Sequence, residues 1–256
     1  MSASRSLPFL RIPPFPGHRG GPLAVADPAV AVSSAEAVAV AAALRRARVG
    51  GAFWAPPRPL PVGRDILLAP DNAATARALQ DDAASRGEAA RCVLIGPYAG
   101  RHGIPVIAGL CDPWHLVGGA SEVVAGADTE LGLVAQLAGT PVRLPGSQPV
   151  AEGQDQGDAA ATRLLTGWRL RDPFTGRAID ALAAIELLAE WRRLIEANRP
   201  LAAIYGVARW KRLTADPLLW DGHDGPRHAS ASHLALPAGS RAAAWKSRTA
   251  ADLPET

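Results

Sequence analysis

Asp65–Ile95 reads DILLAPDNAATARALQDDAASRGEAARCVLI, and this stretch decides the fold. Its apolar run Asp65–Ala69 predicts a buried strand, Pro70-Asp71-Asn72 a turn, and the alanine-rich segment to Ser85 a helix. After Gly87, Arg91–Ile95 predicts a second strand. Strand, helix and strand in quick succession argue for a parallel pair with a helical crossover.

The same alternation continues outward in both directions. Upstream, Leu23–Ala26 reads as a short strand, and Ser33-Ser34-Ala35-Glu36 as a capping box opening an alanine-rich helix to Arg48. Gly50-Gly51 stops that helix, and Ala52-Phe53-Trp54 predicts another strand. Downstream, Ile104–Ala108 is a strand, and Asp112-Pro113 is the cap and first residue of a short helix. Glu122–Ala125 is the next strand, Asp128 caps a helix over Thr129–Ala138 closed by Gly139, and Pro141–Leu144 ends the sheet. The fold class is α/β, a Rossmann-like parallel sheet.

The remaining segments organise around that domain. Residues 1–22 are a proline-rich arm, 23–146 the Rossmann-like α/β domain, 147–170 a linker, 171–222 a basic helical elbow, and 223–256 a polar tail. In the elbow, Asp180 caps a helix whose Leu182, Ile185, Leu188, Trp191 and Ile195 form one apolar stripe. Arg199-Pro200 ends it, and Pro200 opens a second helix over Leu201–Ala208. Arg192, Arg193, Arg199, Arg209, Lys211 and Arg212 face the single acid Glu196 here, and would attract phosphate, carboxylate or an anionic lipid surface. A solvated arginine-rich face is the plainer reading of such a run.

Composition narrows the function classes. The chain has 256 residues, 48% of them hydrophobic, enough for a sizeable core. A net charge of +3 is too mild for a dedicated nucleic-acid binder. Cys92 and Cys111 both sit in apolar contexts, as reduced core thiols of a cytoplasmic protein would. No stretch is long and apolar enough for a transmembrane helix, and prolines interrupt the N-terminus where a signal peptide would need an apolar core. Neither a GxGxxG loop, a Walker loop, a GxSxG elbow nor a HExxH is present.

In an open α/β sheet the ligand sits at the carboxyl ends of the strands, so the strand-to-helix turns are the informative positions. Three stand out: Pro70-Asp71-Asn72, Gly96–His102, and Gly126–Glu130. Asp71 and Asp128 read first as helix caps and second as functional carboxylates. Asp221, His223, Asp224, His228 and His233 carry metal-ligand atoms, but their spacing matches no metal motif, so no metal site is expected.

Asp172–Arg199 (DPFTGRAIDALAAIELLAEWRRLIEANR), Ile204–Arg212 (IYGVARWKR) and Pro217–Trp220 (PLLW) resemble the helical segment closing a glycosyltransferase module of the KpsC/LpsZ capsule polysaccharide proteins. The likeness is fainter over Asp65–Leu144. It implies a shortened glycosyltransferase-B fold and β-Kdo transfer from CMP-Kdo to a lipid-linked acceptor, with no metal or other cofactor. It also implies capsule assembly proteins as partners and a cytoplasmic location reaching the inner face of the inner membrane, with no nucleic acid bound. By the same resemblance Asp71 is the catalytic base or nucleophile. Pro97, Tyr98, Arg101, Asp128, Thr129 and Glu130 hold the nucleotide donor, and Arg209, Lys211 and Arg212 hold anionic groups. The family's Pro-His turn is Pro97-Tyr98 here, its histidine replaced. Because two of the three motifs are altered, a non-catalytic binding or assembly module of the capsule machinery is the alternative. AAAWKSR (Ala242–Arg248) is similar to the opening of a second transferase module in longer members, so the chain reads as one module and the first residues of another.

Overall fold

Every residue of Ile66–Ala69 is buried, which is the signature of a strand covered on both faces. The chain around it is described by a computed structural model over residues 9–126, 128–147, 154–225, 227–229 and 239–245. Two compact units emerge, one from the described residues of Met1–Ile12 and Pro22–Ala189, the other from those of Pro13–Gly21 and Glu190–Thr256.

The N-terminal arm contributes β1 (Arg11–Ile12) and β2 (Gly21–Pro22), and Phe9, Leu10 and Ile12 are core residues. After β3 (Ala24–Ala26) comes α1 (Ser34–Ala47), where the Ser33 hydroxyl accepts from the Glu36 N–H at 3.2 Å as the capping box predicts. The expected strand at Ala52-Phe53-Trp54 is instead a buried turn. Its hydrogen bonds go elsewhere than to a ladder: the Ala52 carbonyl accepts from the Ala55 N–H, and the Ala52 N–H donates to a carboxylate oxygen of Glu130.

The βαβ reading holds. β4 (Ile66–Ala69), α2 (Ala73–Ser85) and β5 (Cys92–Ile95) are followed by β6 (Val106–Ile107), α3 (Pro113–Gly118), β7 (Glu122–Ala125), α4 (Glu130–Ala138) and β8 (Val142–Arg143). The five strands are parallel in the order β6-β5-β4-β7-β8, with Ile66 opposite both Cys92 and Glu122. Ile66, Leu67 and Leu68 are almost fully buried, a gain of roughly 1.5–3 kcal/mol each. Chain order runs away from β4 toward β6 on one side and toward β8 on the other, so the direction of winding reverses between β4 and β7.

Beneath the sheet edge lies a charged anchor. Arg143, its side chain 2% exposed, donates to Glu122 and Glu88 at 2.7 Å each and lies 3.4 Å from Asp82, tying β8 to β7 and to the end of α2. Three carboxylates around one guanidinium are what a buried arginine requires.

The stretch read as a linker contains α5 (Gln154–Leu165) and leads into β9 (Trp168–Leu170), which pairs antiparallel with β3. Gly157, Ala160 and Ala161 are the reason. A side chain at Gly157 would begin 3.3 Å from the Gln136 carbonyl oxygen, so small residues that read locally as loop are what lets α5 pack closely. Next, α6 (Ala181–Asn198) starts at Asp180, whose carboxylate accepts from the Ala183 N–H at 2.7 Å. Ile185, Leu188 and Ile195 are buried, whereas Leu182, expected in the same stripe, is 48% exposed.

The second unit corrects the elbow. Leu201–Ala208 is not a helix: Leu201–Tyr205 is β10, and Val207 and Ala208 follow it as loop. A 3-10 turn at Arg209–Lys211 then leads into α7 (Arg212–Leu218). From the stretch read as a polar tail come β11 (His228–Ala229) and β12 (Arg241–Ala244), which flank β10 in a parallel sheet of order β11-β10-β12. The Ala242–Ala244 island therefore belongs to the sheet of β10, opposite Ala203, Ile204 and Tyr205. Asn198 holds the turn out of α6 by donating to the carbonyls of Leu218 and Trp220 at 2.8 and 3.1 Å.

Candidate functional site

The reversal between β4 and β7 opens a cleft of about 260 Å³ at the carboxyl ends of the strands. Ala69 at the end of β4 and Pro70 after it, Gly96, Pro97 and Tyr98 after β5, Thr129, Glu130 and Leu131 at the start of α4, and Leu110 and Cys111 form its walls. Gly96 has φ 120°, and a Cβ there would fall 2.8 Å from a Tyr98 ring carbon, so glycine is what lets the tyrosine fold back into the wall.

Thr129 caps α4, one residue later than the expected Asp128, because its hydroxyl accepts from the Gly132 N–H at 3.1 Å. The same hydroxyl donates to the Gly126 carbonyl at 2.8 Å. In the same way Asn72, not Asp71, caps α2, accepting from the Thr75 N–H at 2.9 Å. Both aspartates are thereby released from capping. Asp71 is exposed beside Pro70 at the lip of the cleft and accepts from the Asn72 side-chain amide at 2.8 Å. Asp128 is exposed and lies 3.3 Å from Arg163.

Glu130 is the carboxylate in the wall, and both of its oxygens are engaged. One accepts from Arg11 at 2.7 Å, the other from the Ala52 N–H at 2.9 Å. Gly51 has φ 61°, and a Cβ on it would sit 2.7 Å from the Glu130 carboxyl carbon, so this close approach needs glycine. Arg11 stacks over Trp54 at 5.2 Å from the ring centroid, and its Nε is buried without an acceptor among the described residues. Glu130 also faces a second cavity of about 230 Å³, lined by Arg11, Asp128, Arg163 and Trp168. Arg11 gave no signal in the sequence, since the proline-rich arm of residues 1–22 holds no acid to mark it as paired.

Arg101 is set apart from the cleft. Its guanidinium lies 3.3 Å from Asp81, which also meets His102 at 2.7 Å, and it lines a neighbouring groove with Gln80 and the other side of Tyr98. His102 holds the Asp81 carboxyl below its ordinary range, with Arg101 adding to the effect. Cys111 is a buried free thiol whose pKa burial pushes up, which suits a packing residue of the wall.

No family model matches the chain, and no curated protein matches it. Among solved structures it is similar to a β-Kdo 2,4 transferase of KpsC from Thermosulfurimonas dismutans, at 13% identity and a TM-score of 0.47 over 61% of this chain and 62% of that one. It is also similar to the β-Kdo 2,7 transferase of KpsC from the same organism, at 17% identity and a TM-score of 0.38 over 61% of each chain. The match thus spans about three fifths of the length of those structures.

The basic elbow sorts into two groups. Arg192 pairs with Glu196 at 2.8 Å, Arg193 with Glu190, and Arg199 donates to the Asp221 carbonyl at 3.4 Å. Arg209 and Arg212 are exposed, and Lys211 lies over the rings of Trp210 and Trp245. His223 meets Asp224 at 3.1 Å and His228 meets Asp216 at 2.6 Å, while His233 lies outside the described residues. Among the described residues no three His, Cys, Asp or Glu side chains gather as a metal site, and no helix is long and apolar enough to cross a membrane.

Proposed function

We propose that the chain is a glycosyltransferase-B type β-Kdo transferase module of capsule polysaccharide biosynthesis, working at the cytoplasmic face of the inner membrane and moving Kdo from CMP-Kdo to a lipid-linked acceptor. The observation that carries this is the cleft at the reversal of the sheet, where the N-terminus of α4, Pro97 and Tyr98 meet. A nucleotide phosphate suits the amides at the start of α4, and the pyrimidine suits the face of Tyr98. Glu130 turns from Arg11 to a ribose hydroxyl, leaving Arg11 to stabilise the departing CMP without a metal. Asp71, at the lip, either takes the proton of the acceptor hydroxyl as that oxygen bonds to the sugar and CMP leaves, or itself displaces CMP to form a glycosyl-enzyme ester that the acceptor hydroxyl then breaks, releasing the carboxylate.

A second reading, a non-catalytic binding or assembly module of the capsule machinery, draws on the engagement of both Glu130 oxygens and on the position of Asp71 outside the cleft wall. Calorimetric titration with CMP, UMP and AMP separates the two. The transferase reading expects CMP-selective binding that is weakened in Glu130→Gln, and CMP-Kdo turnover that Asp71→Asn abolishes. An absence of binding by any nucleotide to folded protein would sink it in favour of the second.

A further inference from the structure

Trp210 is 76% exposed and Leu213 86% exposed, three residues apart where the Arg209–Lys211 turn runs into α7, so the two share one face. Trp245, 41% exposed, joins them through Lys211, whose Nζ lies 5.0 Å from the Trp210 ring centroid and 4.3 Å from that of Trp245. Arg209 and Arg212 flank this apolar face and are exposed, and no acid occurs between Glu196 and Asp216. We propose that Trp210, Leu213 and Trp245, with the cations Arg209, Lys211 and Arg212, form a docking surface for an anionic lipid bilayer.

The chemistry selects the occupant. A glycan or nucleic acid would use the indoles and arginines but offers nothing to Leu213, an aliphatic side chain held almost wholly in water. A lipid surface engages every group: indoles at headgroup depth, Leu213 at the acyl boundary, arginines on phosphates, and the lysine stem alongside the rings. The surface belongs to the second unit and stands whether or not the cleft binds a nucleotide.

The test is flotation of the full chain with phosphatidylcholine vesicles with and without phosphatidylglycerol, alongside tryptophan emission. Binding with a blue shift is expected only when phosphatidylglycerol is present, and falls as salt is raised. Arg209→Ser with Arg212→Ser lowers partitioning about fivefold per cation removed. Trp210→Ala with Leu213→Ala lowers it by roughly tenfold while leaving the thermal midpoint unchanged. Equal binding to neutral vesicles, no binding at all, or wild-type partitioning of the Trp210/Leu213 variant overturns the proposal. So does tighter binding of a single-stranded oligonucleotide that is indifferent to Leu213→Ala.

Discussion

Arg11 and Glu130, separated by 119 positions in the chain, meet at 2.7 Å in the wall of the second cavity, and Glu130 also lines the cleft. The pair joins the N-terminal arm to the first turn of α4, and the Ala52 N–H on the other carboxylate oxygen makes the junction three-sided. A residue that by position belongs to an irregular arm is therefore part of the site's frame.

Removing one partner should be felt in stability. The side chains are 23% and 38% exposed, so solvent screening keeps the effect modest. Arg11→Ala is expected to cost about 1–2 kcal/mol, through the lost charged hydrogen bond and the lost contact with Trp54. A double-mutant cycle with Glu130→Gln in denaturant unfolding should return a coupling of about 1 kcal/mol; additive single changes would mean the pair contributes nothing.

Arg143 should tolerate less. Arg143→Met leaves Glu122 and Glu88 facing each other without the cation that each now meets at 2.7 Å. Because the guanidinium is buried and holds β8 to β7, a loss of about 3–5 kcal/mol is expected in chemical denaturation. A change under 1 kcal/mol would show that the sheet edge rests on apolar packing alone.

Cys92 gives the pH dependence. Burial, reinforced by Glu88, pushes its thiol up to about 11. In the unfolded chain a cysteine titrates near pH 8.5, so between about 8.5 and 11 the unfolded state loses a proton that the folded state keeps, and stability falls as pH rises through that window. Wild-type protein is expected to lose more stability over this range than Cys92→Ala. At neutral pH a thiol reagent should label Cys92 only at the rate of unfolding; immediate labelling of the folded protein would contradict its burial.

The sequence carried the Rossmann-like sheet because its signals are local. Ile66–Ala69 and Cys92–Ile95 are short apolar runs between turn residues, and the hydroxyl of Ser33 and the carboxylates of Asp112 and Asp180 reach N–H groups only two or three residues away. Cap positions were less legible at Asp71-Asn72 and Asp128-Thr129, where two adjacent side chains can each serve and the packing of the following helix selects the second. The three turns after β4, β5 and β7 were legible as positions, since the carboxyl ends of parallel strands lie together whatever the loops contain.

Tertiary structure alone decided the rest. Leu201–Tyr205 has the apolar content of a buried helix or strand, and only its partners His228–Ala229 and Arg241–Ala244, far along the chain, make it β10. Gly157, Ala160 and Ala161 read as loop until α5 needs small residues to pack closely. Glu130 meets Arg11 and the Ala52 N–H because the fold brings those distant segments together. Local sequence determines the segments whose caps and turn residues lie close in the chain, whereas hydrogen-bond partners and close contacts between distant segments exist only once the chain has folded.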